Sequence, residues 1–297
     1  MMGEEWREIS VTIPGEAREA VANFLMECGS SGIVFEDAER GGGFETIKAY
    51  FPSPFFHEVQ SISRYLEAIR EFFPGVCPSG VEIRSVPDRD WMVRWKAFFK
   101  ASRVGRRIIV KPPWIRVGSR KMIVIDIDPG MAFGTGTHPT TRLCLHVLEE
   151  LIGGVSESLE TPPSVLDVGT GSGILSIAAV KLGARRVVGI DIDQRALENA
   201  RKNIRINRLK GKIRLRRVTI FQLAEHFDVV VVNIDAGTVE DMRDHLRDRI
   251  AKGGTLILSG ILDGEVEAVK RRFTEGSFSL GGISREDGWA CLTLERI

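Results

Sequence analysis

The sequence predicts an α/β protein, a doubly wound parallel sheet preceded by a small α+β domain. Three observations predict it. A strand-like run, Ser164-Val165-Leu166-Asp167-Val168, leads straight into Gly169-Thr170-Gly171-Ser172-Gly173 and then into the apolar, Ala-rich stretch Ile174 to Leu182. A second strand, Val187 to Ile190, follows and ends in Asp191, twenty-two residues after Gly169. Upstream of both, residues 6–86 read as strand, helix, strand, strand, helix, strand. A glycine turn between strand and helix, then an acid at the next strand's tip, is the nucleotide-binding half of a doubly wound sheet. The turn lets backbone approach the ligand, and the carboxylate accepts both ribose hydroxyls.

Trp6 to Ile13 alternates as a strand and is broken by Pro14-Gly15. Glu16 to Cys28 carries Val21, Phe24 and Leu25 at helical spacing, with Gly29 just past its end. Gly32 to Glu36 and Phe44 to Phe51 are strands joined through Gly41-Gly42-Gly43. Phe55 to Phe73 is an amphipathic helix through Val59, Ile62, Leu66 and Ile69, stopped by Pro74-Gly75, and Val81 to Val86 closes the set. The order β-α-β-β-α-β is the split, ferredoxin-like pattern. No chemistry-bearing cluster lies in it, so residues 1–87 read as a substrate-recognition domain.

Residues 88–104 read as a linker helix. Trp91, Trp95 and Phe98 fall on one face, which packs on a domain or sets a hinge. Residues 105–297 form the large domain. Arg107 to Val110 and Met122 to Ile127 are a β pair around Pro112-Pro113-Trp114. The string Asp128-Pro129-Gly130-Met131-Ala132-Phe133-Gly134-Thr135-Gly136-Thr137-His138-Pro139-Thr140-Thr141 follows, a loop of breakers and small residues that reads as a lid over the ligand. It is no phosphate loop, since Gly136 is followed by Thr137-His138 and not by Lys. Thr140 or Thr141 is expected to cap the helix Arg142 to Leu151. His138 is either a catalytic base or a residue that packs within the loop.

The later elements complete the sheet. Asp193 caps Gln194 to Asn207, whose apolar face holds Leu197, Ala200 and Ile204. Lys212, Arg214 and Arg216 alternate with Ile213 and Leu215 as in an edge strand. With Arg205, Arg208, Lys210 and Arg217 they make a basic cluster, read either as a solvated face or as a weak contact with RNA. Val229 to Val232 is a continuous apolar strand that delivers Asn233 to the ligand-binding end of the sheet. Thr255 to Ser259, a helix Gly264 to Phe273 and a hairpin Phe278 to Leu294 finish the domain.

Composition bounds the reading. The 297 residues suffice for one large and one smaller domain. A chain with 43% hydrophobic and 27% charged residues is that of a globular protein. No run has the length of a membrane span, and Met1-Met2-Gly3-Glu4-Glu5 lacks a signal peptide's basic and apolar regions. Cys28, Cys77, Cys144 and Cys291 are scattered without a C-x-x-C pair, as buried thiols of a reducing cytoplasm, and no metal site is expected. A net charge of +1 is not that of a nucleic-acid polycation, so neither DNA nor a membrane is an expected partner.

Glycine spacing selects the ligand. A dinucleotide needs G-x-G-x-x-G, whereas Ile174 makes this pattern G-x-G-x-G. Asp167 sits where a pyrophosphate would feel its charge, and a cationic nucleoside would be favoured there. S-adenosyl-L-methionine, with its sulfonium and ammonium, meets that requirement, so residues 105–297 read as a methyltransferase on a Rossmann-like sheet.

Three of these stretches, Asp128 to Thr141, Leu166 to Leu175 and Gly189-Ile190-Asp191-Ile192-Asp193, resemble the ribosomal large-subunit protein eleven methyltransferases, class I S-adenosylmethionine-dependent enzymes. So do Val230-Val231-Val232-Asn233-Ile234, Leu258-Ser259-Gly260-Ile261-Leu262, the Trp91…Trp95-Lys96…Phe99 linker and Gly288-Trp289. The resemblance spans nearly the whole chain and is strongest from residue 88 onward. It implies a cytosolic bacterial enzyme that methylates lysine ε-amino and N-terminal α-amino groups of a large-subunit ribosomal protein. Carried over onto matching positions, it implies that Thr141, Gly169, Asp191 and Asn233 contact the cofactor; Gly171 in the turn and Phe133 in the lid string complete the cofactor-binding set. Two positions depart from the family: Thr170, where Cys is common, and Asp235-Ala236, where Leu-Ala is usual.

A sulfonium methyl is already electrophilic, so catalysis is mostly the in-line positioning of a neutral amine. Lysine's ordinary pKa of about 10.4 means a proton must first leave. Asn233 is the candidate catalytic residue, its carbonyl oxygen accepting an N–H while the lone pair faces the methyl; the bland alternative is a strand cap. Asp235 reads either as a helix N-cap or as a carboxylate beside the amine. Competing functions are a nucleobase methyltransferase, disfavoured because no aromatic follows Asn233, a methyltransferase of another protein or a small-molecule amine, and a non-catalytic ribosome-binding module.

Overall fold

A computed structural model describes residues 5–30, 32–37, 43–52, 58–77, 80–87, 100–118, 121–128, 136, 138–153 and 161–297. The chain divides into two compact units, and the division falls between residues 87 and 100 among those described.

The first unit runs β1 (Glu5–Pro14), a 3-10 turn, α1 (Arg18–Glu27), β2 (Gly32–Asp37), β3 (Phe44–Pro52), α2 (Glu58–Ile69) and β4 (Val81–Pro87). Its sheet has the order β2-β3-β1-β4 with every neighbouring pair antiparallel, which is the ferredoxin-like arrangement. Alternation drives it: Ile9, Val11 and Ile13 of β1 and Ile47, Ala49 and Phe51 of β3 share one fully buried face. The two helices cover it with Val21, Leu25, Ile62 and Leu66. The second helix is shorter than its sequence pattern. It ends at Ile69, the last residue of the apolar stripe, and Phe72 is exposed. Pro74 disfavours helical dihedrals at Phe73, so the chain turns early.

The second unit opens with a three-stranded sheet, β5 (Ser102–Val104), β6 (Ile108–Lys111) and β7 (Ile123–Asp126). The linker helix expected to reach residue 104 therefore does not: Ser102–Val104 is a strand antiparallel to β6, with Val104 buried. A turn at residues 105–107 sends the chain back to satisfy the same ladder. The rest of that linker, residues 88–99, lies outside the described residues. The expected β pair, β6 with β7, is parallel.

The main sheet is built from β8 (Ser164–Val168), β9 (Arg186–Asp191), β10 (Ile213–Arg217), β11 (Phe227–Asn233), β12 (Ile250–Leu262), β13 (Phe278–Glu286) and β14 (Trp289–Arg296). Their order is β10-β9-β8-β11-β12-β14-β13, parallel from β10 through β12, with β14 antiparallel to both of its neighbours. Helices α3 (Pro139–Gly153), α4 (Ile174–Leu182), α5 (Gln194–Ile206), α6 (Ala236–Asp241), α7 (Arg243–Arg249) and α8 (Val266–Thr274) supply the covering layers. Both faces of the central strands are apolar. Val165, Val229 and Val231 enter one core with residues of α3 and α4, while Leu166, Val230 and Val232 enter the other with Val239, Leu246 and Val269. The direction of winding reverses between β8 and β11, which makes the carboxyl ends of these two strands the topological switch point. The cationic side chains of β10 lie on an edge strand, where charge discourages edge-to-edge pairing. Arg216 pairs with Glu225 at 2.9 Å, and Arg205, Arg208, Lys210, Lys212 and Arg214 are exposed.

Candidate active site

Everything at the switch point is built around a turn that only glycine makes cheaply. Gly169, Gly171 and Gly173 have φ of 70°, 51° and 80°, the left-handed region that costs other residues roughly 1–2 kcal/mol each. The amides of Gly169 and Thr170 both donate to the Ile190 carbonyl, at 3.0 and 2.9 Å, so the turn is bound to the end of the adjacent strand. Asp167 organises it from beneath. Its Oδ2 accepts from Thr170 Oγ1 (2.7 Å), Ser176 N (3.0 Å) and Ser176 Oγ (2.7 Å). Burial pushes its carboxyl above the usual range, opposed by those bonds. Asp167 thus acts inside the turn, and discrimination against a pyrophosphate rests on the glycine spacing.

Asp191 closes the other side. Its Oδ2 accepts Gly171 N–H and its Oδ1 accepts Asp193 N–H, each at 3.0 Å. A carboxylate offers about four lone-pair sites, so two remain for a pair of ligand hydroxyls. Asp193 caps α5 through Arg195 N–H, as its position in the sequence predicts.

Asn233 stands at the end of β11, one step beyond the Val232–Val168 pair and therefore beside Gly169. Its Nδ2 lies 3.5 Å from Thr141 Oγ1, at the outer limit of a hydrogen bond. Its Oδ1 is buried and has no hydrogen-bond partner among the described residues. A buried acceptor left unpaired costs about 1–3 kcal/mol, which a donor brought by a ligand would recover. The backbone just after it is pressed against β12. Gly260, at φ 86°, sits so close that a Cβ there would fall 2.3 Å from the Ile234 carbonyl oxygen, so only glycine fits.

Thr141 is not a helix cap. The helix begins at Pro139, a favoured first position, and His138 precedes it. The His138 carbonyl accepts the Thr141 and Arg142 amides at 3.1 Å, and its Nδ1 accepts the Thr140 amide at 3.4 Å and lies 2.8 Å from Thr140 Oγ1. Its ring also meets Trp289 edge-on at 5.1 Å between centroids. These contacts favour packing over base chemistry for His138. Thr140 and Thr141 are buried in the first turn.

Asp235 is the N-cap of α6. Its Oδ1 accepts Thr238 N–H at 2.9 Å and its Oδ2 accepts Thr238 Oγ1–H at 2.7 Å. Those bonds hold its carboxyl below the usual aspartate range. Two short helices follow it, α6 and α7, which meet at Met242.

Thr141, Gly169, Gly171, Asp191 and Asn233 thus come together at the carboxyl edge of the sheet; Phe133 and most of the lid string lie outside the described residues. Sequence reasoning passed over Ser176 and the buried Asn203, although a polar residue on the Leu197–Ala200–Ile204 face of α5 is a readable signal. The groups present fit S-adenosylmethionine: free acceptor capacity on Asp191 and a turn whose three glycines all adopt positive φ.

Comparison with known proteins agrees. The family model described as "Ribosomal protein L11 methyltransferase (PrmA)" matches residues 5–297. Ribosomal protein L11 methyltransferases of Geotalea uraniireducens and Geobacter sulfurreducens are 36% and 37% identical; the alignments cover 97% and 98% of this chain, and 96% and 98% of theirs. The crystal structure of a ribosomal protein L11 methylase from Lactobacillus delbrueckii subsp. bulgaricus superposes with a TM-score of 0.60 at 31% identity, covering 66% of this chain and 98% of that one. The chain belongs to the ribosomal protein L11 methyltransferase family, S-adenosylmethionine-dependent enzymes on a Rossmann-like sheet.

Proposed function

We propose that this enzyme methylates amino groups of ribosomal protein L11, both lysine ε-amines and the N-terminal α-amine, in the cytoplasm. Among the described residues no helix is long and apolar enough to cross a membrane. The observation that carries the reading is the buried Asn233 Oδ1 at the switch point, which has no hydrogen-bond partner among the described residues. When bound, S-adenosylmethionine supplies a methyl group on a cationic sulfur; Asp191, Gly169, Gly171 and Thr141 would hold it. Asn233 Oδ1 accepts one N–H of the incoming neutral amine and so fixes the direction of its lone pair. Asp235 caps α6 through Thr238 and in this reading does not serve the amine. The first unit, with no chemistry-bearing cluster of its own, docks the substrate. The exposed cations on and beside β10 mark where an RNA contact would form. A direct test offers labelled cofactor to L11, ribosomal RNA and a free lysine together. Label is expected in L11 alone; label in RNA would replace this reading with a nucleobase one.

Two substitutions test the roles nearest the reaction. Asp191→Ala should weaken cofactor binding by about 1.5–3 kcal/mol, roughly ten- to hundredfold, the range for hydrogen bonds to a charged group. Titration calorimetry that finds unchanged affinity would remove Asp191 from the site. Asp235→Asn should leave the rising limb of the pH–rate profile where it is and lower stability only slightly near neutral pH, since Asn keeps the cap on Thr238 N–H but loses the carboxylate. The sign follows from the depressed pKa. Asp235 contributes stability that is complete above its unfolded value of about 3.9 and is lost only as pH falls through the lower folded value. A limb that moves to lower pH in this variant would place the carboxylate next to the amine after all.

A further inference from the structure

The buried face of α5 and its C-cap carry two carboxamides four residues apart, Asn203 and Asn207, and the reaction as derived uses neither. Asn203 is fully buried and Asn207 nearly so. Asn207 grips one residue of the β7 exit: its Oδ1 accepts Asp126 N–H at 3.0 Å and its Nδ2 donates to the Asp126 carbonyl at 2.6 Å. Asn203 accepts Asp128 N–H at 3.0 Å through Oδ1, continuing the same brace. Its Nδ2 goes elsewhere. It donates at 2.9 Å to the carbonyl of Ser172, inside the glycine turn. That carbonyl lies between Gly171, whose amide is held by Asp191, and Gly173, whose φ of 80° begins α4. Gly173 itself leaves little room, since a Cβ there would lie 3.1 Å from Ala200 Cβ on the same helix.

We propose that Asn203 is a positioning residue for the cofactor site: it holds the Ser172 carbonyl, and with it the Gly169–Gly173 turn, in the shape that receives S-adenosylmethionine. This rests on the assignment of that turn to the cofactor. Asn207 provides the internal contrast, because it has the same chemistry, sits at the C-cap of the same helix and is similarly buried but makes no bond to the turn. Removing either carboxamide leaves buried backbone groups unpaired and lowers stability. Only loss of Asn203 also removes a hydrogen bond to the turn.

The test is calorimetric titration of S-adenosylhomocysteine into Asn203→Ala and Asn207→Ala, with thermal melts of both. Both variants should lose stability to a similar extent. Asn203→Ala should raise the dissociation constant roughly tenfold or more, as expected for one lost buried hydrogen bond, while Asn207→Ala leaves it near the wild-type value. If Asn203→Ala gives no soluble protein, Asn203→Ser carries the same expectation. Equal changes in affinity for the two variants, or none for Asn203, would overturn the proposal. A wild-type enzyme that fails to bind S-adenosylhomocysteine would instead overturn the cofactor assignment on which it rests.

Discussion

Asn233→Ala should lower kcat by about a hundredfold, the scale of a reacting group left about 1 Å out of position, while the cofactor dissociation constant changes little. The asymmetry follows from the two ends of one side chain. Nδ2 makes only a long contact with Thr141, so its loss disturbs the cofactor pocket slightly. Oδ1 is the buried acceptor that would orient the amine, and it has no hydrogen-bond partner among the described residues. Asn233→Asp separates orientation from charge. It keeps an acceptor in place but puts a carboxylate beside the amine, which favours the ammonium and raises its pKa. The rising limb of the pH–rate profile should therefore move to higher pH. Single-turnover rates with calorimetry on both variants check this. A loss confined to cofactor affinity would make Asn233 a binding residue only.

Removal of the first unit should separate cofactor binding from substrate use. A chain of residues 100–297 keeps β5, the complete main sheet and all of Thr141, Gly169, Gly171, Asp191 and Asn233. Two cores of its own, one on each face of that sheet, hold it together. It should bind S-adenosylhomocysteine as the full chain does. Its kcat/KM for L11 should fall by roughly a hundredfold, equivalent to about 2.7 kcal/mol of docking energy. Equal kcat/KM for the two forms would assign substrate recognition to the catalytic unit.

The parts that were legible in the sequence are those where several local signals agree. The helix read as Ile174 to Leu182 is the observed α4, because a glycine cap at each end and an unbroken apolar run leave no alternative frame. The ferredoxin-like order was equally readable, since each strand alternates and each helix has one apolar stripe. What escaped is what depends on distant partners. Ser102–Val104 is too short to carry a periodic signal, and only its ladder with β6 makes it a strand. His138 caps α3 with a carbonyl and a ring nitrogen, outside the usual Ser, Thr, Asp and Asn set, so the cap was assigned to the threonines beside it. Asp167 was visible as an acid next to a turn. That its oxygen is committed to Thr170 and Ser176 depends on how the turn folds back, which spacing does not show. Asn203 is the same kind of case, a polar residue whose partners lie 31 and 75 positions away.

On the function proposed above, this site delivers methyl groups to the amines of L11. The most direct test is tandem mass spectrometry of purified L11 after incubation with the enzyme and methyl-labelled S-adenosylmethionine. The expected result is label on lysine side-chain nitrogens and on the N-terminal nitrogen, strongly reduced at equal time with Asn233→Ala. Unlabelled L11 from an enzyme that binds S-adenosylhomocysteine, or label on any atom other than an amine nitrogen, would contradict it.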